Sequence, residues 1–350
     1  MKQGTGNREQ VNFFTLLLLS LLLLLGCARF QRAPSDELVI TVDPAVLEQI
    51  EEIVEAAVVE PRFAVIPPNA RPGEPVTIGF SYTTEDKDRE FQAVLFDSRE
   101  RRIARAFFFR TSWRANDREV FAAVLAVPST ALIGEAFIRV ESGEYIIREL
   151  PFTINHREFH SERIALNQAN TELRTLPDPQ RTAESQQLWA ILNRTGREIH
   201  TFEPFERPVT STRRTSIYGN RRVFVYFDGT TDTTIHAGVD YGVPTGTEVR
   251  ASAAGRVVLA RNRILTGNSV ILEHLPGVYS LYYHLDSIAV VEGSIIDVGA
   301  MLGRSGATGL ATGPHLHWEI RVSGENADPD AFLSRPILDK NAIIDRLTVH

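Results

Sequence analysis

The run Thr312-Gly313-Pro314-His315-Leu316-His317-Trp318-Glu319-Ile320 leaves a Gly-Pro turn and then alternates polar and apolar side chains. That alternation has the period of a β-strand with one buried face. His315 and His317 are two apart and project from one face, while Leu316, Trp318 and Ile320 fill the other, toward a core. Upstream, the spacing of His236-Ala237-Gly238-Val239-Asp240 would suit one face of a helix. Gly238 and the following Tyr241-Gly242-Val243-Pro244-Thr245-Gly246 oppose a helix there, so the segment reads as a strand end or loop with both side chains turned to one site. Five of the nine histidines (His236, His274, His284, His315 and His317) fall in this quarter of the chain, and Tyr282-Tyr283-His284-Leu285 lies inside it.

Imidazole nitrogen and carboxylate oxygen are donors that zinc prefers, and a catalytic site uses three protein ligands with a fourth position left for water. A His with an Asp four residues on, joined by a distant His, supplies such a set.

In order and spacing the motifs resemble the lysostaphin/LytM-type zinc endopeptidases of bacterial cell walls, over roughly residues 207–334. Thr215-Ser216-Ile217-Tyr218-Gly219-Asn220-Arg221 is similar to the family's Ser-x-Phe-Gly-x-Arg. His-x-Gly-x-Asp (236–240), Pro-x-Gly-Thr-x-Val (244–249), Ala-x-Gly-x-Val (253–257) and Gly-Asn-x-Val-x-Leu-x-His (267–274) follow. Tyr-x-His (282–284), Gly-Pro-His-Leu-His-Trp-Glu (313–319) and Asp328-Pro329 complete the series. The resemblance implies that His236, Asp240 and His317 hold one zinc ion, and that His284 and His315 are a catalytic pair beside the metal-bound water. It also implies an antiparallel β-sheet forming a groove, and hydrolysis of peptide bonds in peptidoglycan stem peptides or cross-links. All five positions carry the residues the family requires.

Other features of the stretch have plainer readings. His274 reads as a structural hairpin residue, and Tyr218 and Tyr282 as packing residues rather than oxyanion donors. The Gly-punctuated segment 291–303 is similar to lipoyl or biotinyl carrier hairpins, but residues 236–320 contain no Lys to accept such a group. A non-hydrolytic envelope regulator, or an activator of a wall amidase using the same groove, is the alternative function; the intact ligand set opposes it.

Outward from this module, residues 156–206 read as a linker with a helix over 181–194, started by Pro177-Asp178-Pro179 and burying Leu188, Trp189, Ile191 and Leu192. Arg213, Arg214, Arg221 and Arg222 cluster at the module's entrance, either as solvated charge or as contacts for substrate carboxylates. Residues 61–155 show short strands over 75–82, 91–96, 103–110, 120–127, 136–140 and 145–154, which suggests an immunoglobulin-like β-sandwich. It has no catalytic constellation and reads as a spacer or a surface for an envelope protein partner. The expected fold class is therefore mainly β, a sandwich followed by the antiparallel catalytic sheet, with short linking helices. Residues 335–350 are left as a C-terminal tail.

The N-terminus carries an address. Lys2 and Arg8 precede an apolar run over 13–25, too short for a membrane span and suited to a signal-peptide core. Gly26 before Cys27 resembles a lipoprotein cleavage site, which makes 1–26 the signal peptide and Cys27 the lipidated residue. Cys27 is the only cysteine, so no internal disulfide competes for it. Residues 27–60 then read as a lipid-anchored tether and a short helix capped by Asp43, with the body in the cell envelope outside the cytoplasmic membrane. A net charge of −7 gives no basic footprint for nucleic acid.

Overall fold

The computed structural model describes residues 28–32, 38–42, 62–82, 90–194, 196 and 198–348, and the chain divides into two units, Met1–Glu60 and Pro61–His350. The apolar run over 13–25, Cys27 and the helix expected after Asp43 lie outside the described residues. In the first unit Ala28–Arg32 and Leu38–Val42, within the segment read as a tether, pair as antiparallel strands. Leu38-Val39-Ile40-Thr41-Val42 is rich in β-branched residues, which favour a pleated backbone. Among the described residues no helix is long and apolar enough to cross a membrane.

The second unit begins with two packed sheets. One orders Arg62–Ile66, Pro75–Tyr82, Arg118–Ala126 and Phe109–Ala115 as neighbours; the other orders Asn69–Ala70, Tyr145–Ile154, Gly134–Ser142, Gln92–Phe96 and Arg102–Phe107. Val76, Ile78, Ala123 and Leu125 from the first sheet meet Leu95, Ile138 and Phe152 from the second, all buried in one core. Arg118–Ala126 is covered on both faces, so it lacks the alternation that marks a half-exposed strand. Its second face, through Ala122 and Val124, joins the core that also contains Val239, Trp318 and Ile320.

The last segment, expected as a tail, closes this second core. Helix Lys340–Thr348 buries Ile343 and Leu347 in it completely. Thr77 Oγ1 donates to Ile337 O at 2.7 Å, and Arg62 reaches the carbonyls of Leu347 and Thr348. Gly79 is needed for the approach: a Cβ there would stand 2.6 Å from Ile343 Cγ2.

The linker is also more than a connection. Ser161–Ala165 runs parallel to Arg221–Val225, which pairs antiparallel with Thr231–Ile235. A helix unforeseen in the sequence, α1 (Gln168–Thr175), follows; Asn167 caps it by accepting from Asn170 N at 2.9 Å. The expected helix is α2 (Pro179–Leu192), capped by Asp178. Ile191 and Leu192 are buried as expected, whereas Trp189 is 55% exposed.

The largest sheet among the described residues places Leu316–Val322 between Gly238–Tyr241 and Val278–Ile288, with Gly267–Leu275 and Gly255–Arg263 beyond. Leu316, Trp318 and Ile320 are fully buried. The opposite face of the same three strands forms the site.

Candidate metal centre

Strand register brings the site together. Asp240 is the cross-strand partner of His317 on one side, and Tyr283 is its partner on the other. Such pairs share a face of the sheet. Tyr283 stacks on the His317 ring with centroids 5.5 Å apart and planes 6° from parallel, which fixes the ring's orientation. His236 sits in the two-residue gap between the strands Thr231–Ile235 and Gly238–Tyr241. Gly238 makes that geometry possible, since a Cβ would lie 2.2 Å from the carbonyl oxygen of Trp318.

The three side chains converge. His236 Nε2 is 3.1 Å from Asp240 Oδ1 and 3.1 Å from His317 Nδ1, and Asp240 Oδ1 is 2.8 Å from His317 Nδ1. All three are buried, and their candidate ligand atoms lie within 4.8 Å of one another. The outer nitrogens are already committed: His236 Nδ1–H donates to Ile217 O at 2.9 Å, and His317 Nε2–H points to Glu319 Oε2 at 3.4 Å. Arg321 in turn pairs with Glu319. This is the outer hydrogen bonding that orients metal-binding imidazoles and fixes their tautomers. Two imidazoles and a carboxylate held this way fit a divalent cation of the zinc type by donor chemistry, convergence and burial.

The three groups also set one another's charge. Burial would raise the Asp240 carboxyl, yet hydrogen bonds to His236 and His317 hold it well below the usual range. Burial also opposes charge on His317, but Asp240 and Glu319 raise it to about 9.

His284 and His315 face one another beside this cluster, with ring centroids 4.7 Å apart. His284 lies in the left-handed region at φ 60°, where its strand leaves Leu316–Val322 and takes Met301–Ser305 as partner. A non-glycine residue held there marks a position the surroundings over-determine. Its Nδ1–H donates to Thr308 O at 2.8 Å, and that of His315 donates to Gly313 O at 2.8 Å, so each ring keeps a bare Nε2. His315 Nε2 is 3.9 Å from Asp240 Oδ1. Burial, reinforced by His315 and His317, pulls His284 down to about 3 and keeps it neutral.

The five residues singled out in the sequence thus line one cavity of about 280 Å³, along with Tyr283, Leu265 and Leu310. His274 is elsewhere, fully buried with its nitrogens on Ala254 O and Ser280 Oγ, both at 2.7 Å. Tyr218 and Tyr282 are also in the core: the Tyr218 hydroxyl donates to Asn326 O, and that of Tyr282 bonds Ser252 and Ser280.

The arginine cluster divides its work. Arg214 forms a two-pronged pair with Asp330, Arg221 donates to Gly219 O and Ser129 O, and Arg213 reaches Gly242 O. Arg222 instead holds Asp240 Oδ2, so it is neither solvated charge nor a free substrate contact. The linker supplies Ile164, Leu166 and Arg174 to the cavity wall, and Asn170 on α1 reaches Ala311 O at 3.3 Å. The sequence signal for α1 is the Asn167 cap.

Comparison with known proteins agrees with this geometry. The sequence profile of Peptidase family M23 matches residues 234–329. The DD-carboxypeptidase/endopeptidase Mpg of Neisseria meningitidis serogroup B is 42% identical over 95 residues, 27% of this chain and 22% of its own length. The peptidoglycan DD-endopeptidase ShyA of Vibrio cholerae is 43% identical over 89 residues, 25% of this chain and 21% of its own. The chain therefore spans only about a fifth of the length of these curated relatives. A crystal structure from Pseudomonas aeruginosa, described as an M23 peptidase, shares the fold with a TM-score of 0.52 at 23% identity, covering 76% of this chain and 95% of that one. Residues 234–329, which carry all five convergent site residues, are a Peptidase family M23 domain of the lysostaphin/LytM type.

Proposed function

We propose that this protein is a zinc-dependent endopeptidase that hydrolyses peptide bonds in peptidoglycan stem peptides or cross-links. The carrying observation is the convergence of His236 Nε2, Asp240 Oδ1 and His317 Nδ1 in a groove flanked by two histidines with bare Nε2 atoms. The names of the relatives, a DD-carboxypeptidase/endopeptidase and a peptidoglycan DD-endopeptidase, support the substrate class and make a DD cross-link the first bond to test.

His236, Asp240 and His317 would hold the ion. When bound, zinc would supply Lewis-acid polarisation of the scissile carbonyl and bring the acidity of water toward neutral, ~7. Either His284 or His315 can accept the proton of the attacking water at Nε2, and the same ring or its neighbour can return it to the leaving amine. Leu166, Leu265 and Leu310 give the cavity wall apolar patches beside those rings.

Attachment belongs to the same proposal. The apolar run over 13–25 and Gly26-Cys27 support export and lipidation at Cys27, which would hold the enzyme to an envelope membrane facing the wall. The strand order of the sandwich supports the immunoglobulin-like reading, because its four-stranded sheet takes the first, second, sixth and fifth main strands, the order of A, B, E and D in that fold when an added strand, here Arg102–Phe107, follows C on the other sheet.

The test is to incubate the protein with purified peptidoglycan beside a His317→Ala control and identify the fragments by mass. New peptide ends released only by the zinc-loaded, unsubstituted protein are the expected result. Zinc binding and wall retention without cleavage would replace the enzyme with a wall-binding regulator.

A further inference from the structure

Glu162 lies on the linker strand Ser161–Ala165, more than seventy residues before the matched domain, yet it contacts two residues that each touch a metal-ligand candidate. It is the register partner of Arg222 in the parallel pairing. Its Oε1 accepts from Arg222 Nε at 2.5 Å and from Ser216 Oγ at 2.8 Å, and its Oε2 accepts from Asn220 Nδ2 at 3.3 Å. The other prong of Arg222, Nη2, donates to Asp240 Oδ2. Ser216, having donated its proton to Glu162, presents an oxygen 3.0 Å from His236 Nδ1.

We propose that Glu162 is a positioning residue for the metal centre, acting through Arg222 on Asp240 and through Ser216 on His236. The proposal rests on the metal reading given above and extends it to a segment outside the matched domain.

The chemistry is specific to these side chains. Arg222 bridges two carboxylates because a guanidinium offers donors in a fixed plane; an ammonium on a flexible stem cannot span both in that geometry. Holding Asp240 by Oδ2 leaves Oδ1 turned to His236 and His317. Ser216 can accept from His236 only while its own hydrogen points elsewhere, and Glu162 supplies that acceptor. Glu162 thus fixes the rotation of a carboxylate and, through Ser216, adds a second acceptor beside Ile217 O for the His236 Nδ1–H.

Charge and positioning make opposite forecasts. Arg222 is a cation beside a cation site, so on charge alone Arg222→Gln should tighten metal binding. Positioning requires it to weaken.

The full chain would be stripped of metal and titrated with zinc against a chromophoric chelator, with folding checked by circular dichroism, and cobalt spectra would be recorded for ligand geometry. Glu162→Ala is expected to lower zinc affinity by about tenfold or more and to change the cobalt bands. Arg222→Gln and Ser216→Ala should each lose part of that affinity, and Arg222→Gln should add less in the Glu162→Ala background than alone. Arg222→Lys, which keeps the charge without the fork, should bind zinc about as weakly as Arg222→Gln, and it tests the idea should Glu162→Ala fail to fold. Wild-type affinity and spectra in Glu162→Ala or Arg222→Lys, or tighter binding in Arg222→Gln, would overturn the inference while leaving the metal reading intact. Absence of zinc binding by the unsubstituted protein would overturn both.

Discussion

Asp240 Oδ1 stands 2.8 Å from His317 Nδ1 across two antiparallel strands in which the residues are register partners. The pairing is set by backbone hydrogen bonds, so a slip of one residue would turn one of the two side chains into the core. Removing either group leaves two donors where a stable site needs three. Asp240→Ala and His317→Ala are each expected to abolish bound zinc, measured by elemental analysis, and to reduce peptidoglycan cleavage to background. Chelation of the unsubstituted protein should do the same, and added zinc should restore cleavage. Full activity after complete metal removal would contradict the proposed function.

His284 is expected to separate turnover from binding. Its Nδ1–H is committed to Thr308 O, and it supplies none of the three converging ligand atoms. His284→Ala should therefore retain zinc while cleavage falls by about 10²- to 10⁴-fold, the usual contribution of a positioned acid or base. Asn tolerates the left-handed backbone at this position better than other side chains, so His284→Asn controls for strain. Zinc loss in His284→Ala equal to that in His317→Ala would make His284 a ligand instead.

The site was legible in the sequence because its residues sit on regular strands or in short turns beside them. His315-Leu316-His317 declares its two faces by alternation, and Gly238 marks a backbone approach that no side chain could occupy. The support beneath the site was not legible. Arg222 looked like one of four equivalent arginines, and only the three-dimensional return of Ser161–Ala165 distinguishes it by placing Glu162 opposite. Parallel pairing between segments about sixty residues apart leaves no local signature. The C-terminal helix escaped for a related reason: 335–350 is short, and its two deeply buried residues, Ile343 and Leu347, acquire meaning from a sheet that begins at residue 62.

That helix gives a stability prediction. Ile343 is fully buried against Gly79 of the four-stranded sheet and shares a core with Trp318 of the catalytic sheet. Ile343→Ala would leave a cavity where both layers meet, and a loss of about 2–5 kcal/mol is expected. Urea unfolding followed by tryptophan fluorescence measures it. A loss below about 0.5 kcal/mol, as for exposed substitutions, would mean that the helix is not docked as described.

The pH dependence of folding has an identifiable contributor at His274. The ring is fully buried between Ala254 O and Ser280 Oγ, and burial lowers it to about 4. In the unfolded chain it returns to the ordinary value near 6.5. Between these values the unfolded state holds the extra proton, so stability is complete above pH about 6.5 and declines as pH falls toward about 4. The slope from this one residue approaches about 1.4 kcal/mol per pH unit inside that window. Urea denaturation of the metal-free protein across the window should show the decline. His274→Gln, less stable at neutral pH, should show a flatter curve by that amount. If the two curves run parallel, the proton uptake on unfolding comes from other groups and His274 is not the residue that limits stability in acid.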